Sequence, residues 1–182
     1  MSRIPTPPTI ADTPAASQDI LNAVNAQLGT VPNLFRITAT SPAALEGYVG
    51  LNTALSKGNL NPATRERIAL AIAQINGCDY CLAAHTYLGT NVAKLTSAEI
   101  EANRRGTSTD VKANAAVRFA VELAKERGHV SELAVKNVKD AGFTDGEIVE
   151  IIAHVALNTL TNYVNSALDT EVDFPAVSAL AE

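Results

Sequence analysis

The chain has 182 residues, 47% of them hydrophobic and 4% aromatic, with no Trp and a formal net charge of −5. That content excludes a largely disordered chain and leaves Ala, Leu, Val and Ile to fill the core, which favours closely packed helices over a β-sandwich. The longest basic run is Arg104-Arg105, too little for a nucleic-acid binder, and no apolar run of about 18 residues is present to span a membrane.

Residues 1–17 carry Pro5, Pro7, Pro8 and Pro14 and are expected to form an extended arm, with residues 18–182 as one helical domain. The opening Met1-Ser2-Arg3-Ile4-Pro5 lacks the apolar centre of a signal peptide. A cytoplasmic protein is therefore expected, and a disulfide in it would be catalytic or regulatory rather than a structural staple. Ser17 offers an N-cap to a first helix with Ile20, Leu21, Val24 and Leu28 inward, and Gly29 stops it. Val31-Pro32-Asn33-Leu34-Phe35 reads as an apolar connector pinned to the core. Ser41-Pro42 and Asn61-Pro62 are cap-then-proline helix starts. The second of these opens a helix over about 62–76, apolar almost all round and so expected at the centre of the molecule.

Gly77 ends that helix, and the next begins near Cys78 or Asp79 and runs to about Val92, so residues 62–92 form the motif core. Shorter helices follow over Ser97–Arg105 and Ser131–Lys139, with one capped by Thr109 or Asp110 running through Lys125 between them. Thr144, with Glu147 as its capping-box partner, starts a long helix reaching toward Leu168, with Ile148, Ile151, Ile152 and Val155 as its inward stripe. The reading is all-α, with seven or eight helices. A shift of about 83 residues lays Arg67–Ala73 over Glu150–Ala156 and Tyr80 over Tyr163, as a duplicated helical hairpin would; chance alignment of alanine-rich helices explains it equally well.

Both cysteines of the chain lie in the stretch from Glu66 to His85. On one helix Cys78, Cys81 and His85 share a face, because residues three and four apart are neighbours there. The unpaired N–H groups of the first turn favour thiolate, Asp79 opposes it, and His85 can take the Cys81 proton. A thiolate attacks a peroxide, and a second thiol condenses the sulfenic acid to a disulfide. The expected cycle has Cys81 as attacker, Cys78 as resolving thiol, an external dithiol as reductant, and no bound cofactor. Glu66, one helix length before Cys78, can fold back toward Cys81 and His85 as part of a proton relay.

Other readings stand beside this one. Cys78, Cys81 and His85 could be three ligands of a zinc site, which needs a fourth; the chain has no second CxxC or His pair, and no metal site is assigned. Inert buried cysteines are the third option. Glu66 could be a solvent-facing partner of Arg65 or Arg67. His154 reads as a core or interface histidine, and Tyr80 as a packing residue with a hydrogen-bonded hydroxyl that can line a pocket.

The pattern Glu66-x11-Cys78-x2-Cys81-x3-His85 resembles the core motif of the alkylhydroperoxidase D and carboxymuconolactone decarboxylase superfamily. Val31-Pro32-Asn33-Leu34-Phe35, Cys78–His85 and Leu157–Tyr163 resemble its peroxidase-related branch. The resemblance spans residues 30–175. It implies an AhpD-like helical bundle, a homo-oligomer (trimer or hexamer) and reduction of a hydroperoxide substrate. It implies Cys81 as the cysteine that meets peroxide, Cys78 as the resolving one, and Glu66 and His85 as the proton relay. It also points to a lipoyl protein or a thioredoxin-like dithiol as reductant. The family's best-understood members carry a second His where this chain has Tyr80, which leaves that relay one imidazole short. A cofactor-free decarboxylase or lactone-acting enzyme on the same fold is the weaker alternative, since that branch typically lacks the CxxC.

Overall fold

A computed structural model describes residues 2–178 and 180. Those residues form nine α-helices and one 3-10 turn, and no strand. In chain order they are the turn Ile10–Asp12, α1 (Ala15–Leu28), α2 (Asn33–Thr38), α3 (Pro42–Ser56), α4 (Pro62–Ile75), α5 (Asp79–Asn91), α6 (Ser97–Arg104), α7 (Val111–Lys125), α8 (Glu132–Asp140) and α9 (Asp145–Leu168).

The helix starts follow the local chemistry. Ser41, Asn61, Thr96, Asp110, Ser131 and Thr144 each accept a backbone N–H of the first turn, and Thr144 and Glu147 complete a capping box. Two expectations are corrected near the N-terminus. Helix α1 starts at Ala15, behind Pro14, and Ser17 lies inside its first turn. The buried Ser17 hydroxyl donates instead to the carbonyl of Ala39, 2.8 Å away, so a tertiary bond has replaced the cap. Val31–Phe35 is expected as a connector, but Asn33–Thr38 closes a short helix, because Pro32 supplies a compatible start and its carbonyl accepts from Phe35 and Arg36.

Helix α4 is the hub. It touches α5, α6, α7 and α9, and every residue from Ile68 to Ala73 is buried. Ile68 and Ile72 meet α7 through Ala116, Phe119 and Ala120, and α9 through Ile148, Ile151 and Val155. Burying each such isoleucine stabilises the fold by roughly 1.5–3 kcal/mol before entropy is counted. Another face of α4 sets Leu70 against Leu95 and Ile100, and its C-terminal end brings Ala73 into a cluster with Leu34, Cys78, Tyr80 and Cys81. Ile152 departs from the expected stripe of α9: it is 44% exposed, at the edge of the face that buries Ile148, Ile151 and Val155.

The internal similarity extends to the helix caps, since Asn61 and Thr144 coincide under the same shift of about 83 residues. It goes no further. Helix α4 has turned back by Gly77, whereas α9 runs straight through Leu160 to Leu168. The duplicated-hairpin alternative is thereby corrected: one copy is a hairpin and the other a continuous helix, which has no left-handed glycine to end it midway.

Candidate active site

The site is built on the turn between α4 and α5. Asn76 ends α4, and Gly77 follows with φ 62°, a left-handed conformation that costs glycine nothing. The N–H of Gly77 donates to the carbonyl of Gln74 and that of Cys78 to the carbonyl of Ala73, a Schellman closure. Cys78 is at the same time the N-cap of α5: its Sγ accepts the Cys81 N–H at 3.2 Å. One residue thus seals one helix and opens the next.

Cys78 and Cys81 are joined as a disulfide, with their Cα atoms 5.3 Å apart. They are 2% and 3% exposed. Cys81, and not Cys78, is among the residues lining a cavity of about 260 Å³. Apolar groups from Leu34, Tyr48, Ala69, Ala84 and Leu157 form part of the wall. Glu66 on α4 and His85 on α5 form another part, with His85 Nδ1 2.9 Å from Glu66 Oε2. Among the described residues no direct hydrogen bond joins His85 to Cys81; the two line the cavity from the same helix, α5. Arg65 lines it too, its guanidinium donating to the Leu55 carbonyl at 3.3 Å.

Tyr80 also reaches the cavity, but its hydroxyl is committed elsewhere. It accepts the N–H of Leu34 at 3.1 Å and bonds to the carboxylate of Asp173. Asp173 in turn accepts the N–H of Asn33 at 2.7 Å. The Phe174 ring stands edge-on to Tyr80, 5.7 Å between centroids. Burial, and then the Asp173 carboxylate, push the phenol far above its ordinary range, against a lowering by the Leu34 N–H. Tyr80 therefore ties α2 and the C-terminal segment to α5. The hydroxyl of Tyr48 is likewise pushed up, by burial and by the Glu66 carboxylate.

The remaining wall was not foreseen from the sequence. His154, Asn158, Thr161 and Asn165, spaced along one face of α9, all line the cavity, and all are buried. Asn165 Nδ2 donates to Cys81 Sγ at 3.4 Å. His154 is 5% exposed, and its Nε2 has no hydrogen-bond partner among the described residues. Burial, then the Arg65 guanidinium, push its pKa down to about 4, against a smaller upward pull from Glu150 and Glu66. The imidazole is neutral at neutral pH. The one signal in the sequence is polar residues at helical spacing within an otherwise apolar helix.

Among the described residues no three or more His, Cys, Asp or Glu side chains are grouped as a metal ion would need. None of their helices is long and apolar enough to cross a membrane.

By fold this is a helical protein of the alkylhydroperoxidase D type. The sequence profile of the carboxymuconolactone decarboxylase family matches residues 42–126, from α3 through α7. The fold matches the crystal structure of an alkylhydroperoxidase AhpD core, an uncharacterized peroxidase-related protein from Ralstonia eutropha JMP134, with a TM-score of 0.84, 25% identity, and coverage of 94% of this chain and 92% of that one. A peroxidase-related protein from Silicibacter sp. TM1040 aligns with a TM-score of 0.80 at 23% identity, over 93% of this chain and 91% of that one. The debrominase Bmp8, in complex with 2,3,4-tribromopyrrole, aligns with a TM-score of 0.78 at 19% identity, over 95% and 94%. No curated protein sequence matches. The profile match and the likeness of fold together support a place in the alkylhydroperoxidase D and carboxymuconolactone decarboxylase superfamily.

Proposed function

We propose that the protein is a thiol-dependent hydroperoxide reductase that cycles Cys78 and Cys81 between dithiol and disulfide. The observation that carries this reading is a cavity that meets one sulfur of a CxxC disulfide, Cys81, and holds the Glu66–His85 pair in the same wall.

In the reduced protein the Cys81 thiolate attacks the terminal oxygen of ROOH. The S–O bond forms as the O–O bond breaks, and the alkoxide leaves as ROH with a proton relayed by His85 and Glu66. Cys81 is then a sulfenic acid. The Cys78 thiolate attacks its sulfur, the S–S bond forms as the S–O bond breaks, and hydroxide leaves as water. An external dithiol restores the pair by exchange, giving up two electrons and becoming a disulfide. It must enter through the cavity and attack Cys81, which makes Cys78 the leaving thiolate. Its helix N-cap position supports that, since the Cys81 N–H already points at its sulfur. A slender lipoyl arm, or a thioredoxin-like dithiol able to reach in, meets the requirement. The cycle suits a reducing compartment such as the cytoplasm. Exposed apolar side chains on α9, among them Ile152, Leu160 and Tyr163, support assembly as a homo-oligomer.

The test is steady-state turnover of several hydroperoxides with several dithiol donors. Cys81→Ser is expected to abolish it and Cys78→Ser to stop it after one turnover. Full dithiol-dependent turnover by Cys81→Ser would overturn the proposal.

A further inference from the structure

The two sulfurs compete for the negative charge, and the helix alone favours the wrong one. Cys78 Sγ receives the Cys81 N–H at the N-terminus of α5, which stabilises a thiolate on Cys78. Yet Cys81 is the sulfur on the cavity wall. Cys81 takes its own hydrogen bond from α9, where Asn165 Nδ2 lies 3.4 Å from its Sγ. Asn165 is 3% exposed, so water does not compete for that donor. The other end of the amide, Oδ1, is buried and has no hydrogen-bond partner among the described residues. An amide with one end on sulfur and the other end open is arranged for the reacting atom rather than for the fold.

We infer that Asn165 is a catalytic residue that holds the reduced Cys81 as a thiolate, and so makes Cys81 rather than Cys78 the attacking sulfur. This deepens the peroxidase reading but concerns thiol acidity, which is measured without any peroxide. When Cys81 becomes a sulfenic acid, the open Oδ1 can accept its O–H. The titratable and charged groups that share the cavity with Cys81 are Tyr48, Arg65, Glu66, Tyr80, His85 and His154, and Asp79 lies in the first turn of its helix. None of them is changed by a substitution at position 165.

The experiment titrates each thiol alone, by thiolate ultraviolet absorbance and by the pH dependence of iodoacetamide alkylation. Cys78→Ser leaves only Cys81 to report, and Cys81→Ser leaves only Cys78. Adding Asn165→Leu to the first background is expected to raise the Cys81 pKa by about one unit, which is about tenfold less thiolate below that pKa. Asn165→Asp, the same size but anionic, is expected to raise it further. In the Cys81→Ser background Asn165→Leu is expected to leave the Cys78 pKa in place. An unchanged Cys81 pKa, or equal shifts at both thiols, would overturn the inference, the second by showing a general loosening of the site. Loss of peroxide turnover in the wild type, with these titrations as expected, would remove the proposed reaction and leave the role of Asn165 standing.

Discussion

His85 Nδ1 and Glu66 Oε2 are 2.9 Å apart, although the side chains start on antiparallel helices joined by a glycine turn. Glu66 is in the first turns of α4 and His85 in the middle of α5, so the hairpin closes their separation in sequence. A carboxylate on Nδ1 fixes the imidazole with Nδ1–H toward Glu66 and leaves Nε2 as the atom that exchanges protons with a substrate. In the proposed cycle this bond is what brings Glu66 into the proton relay.

Replacing Glu66 by Gln removes the charge while keeping the size. Peroxide turnover is expected to fall by about a hundredfold, with most of the loss in kcat, because the proton relay acts in the transition state. The rate at which Cys81 is alkylated near neutral pH should stay within a few-fold of wild type. Steady-state kinetics beside an alkylation time course separate the two effects.

Glu99 is the anchor of the polar layer between α4 and α6–α7. Burial alone would raise its pKa, but hydrogen bonds from Ser108, Thr109, Asn103 and Arg67 outweigh that and bring it down to about 2. A carboxyl with a depressed folded pKa stabilises the protein above its ordinary value of 4.5, and that stability is lost as the pH falls through about 2. Glu99→Gln leaves the partly buried Arg67 without its charged partner and should cost about 3 kcal/mol at neutral pH. Urea unfolding from pH 7 down to pH 2 measures it; the gap between wild type and variant should narrow at the acid end.

His154 titrates low for a different reason. Its folded pKa of about 4 lies below the ordinary 6.5, so as the pH falls the unfolded chain takes up the proton first. Stability held above about 6.5 is lost between there and about 4. Its imidazole NMR shifts should stay flat from pH 8 to about pH 5. His154→Gln should flatten the acid limb of the stability curve over the same window. A midpoint near 6.5 in the folded protein would contradict this account.

Tyr80→Phe removes only a hydroxyl. The Leu34 N–H loses its partner in a buried setting, and Asp173 loses a donor, at a cost of about 1–3 kcal/mol. Amide exchange should quicken around Asn33–Arg36 and Glu171–Phe174, while the Cys78–Cys81 pair still forms. Thermal denaturation together with hydrogen exchange reads both.

The sequence by itself determined most of the helices, α1's start and α2 excepted, and the contents of α5. Caps, proline starts and the Gly77 stop act over a few residues, so Ser41-Pro42, Asn61-Pro62 and Thr144 with Glu147 state their structure locally. The same holds for Cys78, Cys81 and His85, whose spacing alone puts them on one helical face. Only the tertiary structure decided which neighbour each face meets. Helical periodicity says that His154, Asn158, Thr161 and Asn165 line up, but not that they line up against Cys81, from which Asn165 is 84 positions distant. Nor could it show that Ser17 would bond to Ala39 instead of capping α1, or that the Tyr80 hydroxyl is held by Leu34 and Asp173. Those choices are made by packing, which selects among faces that local propensity leaves equivalent.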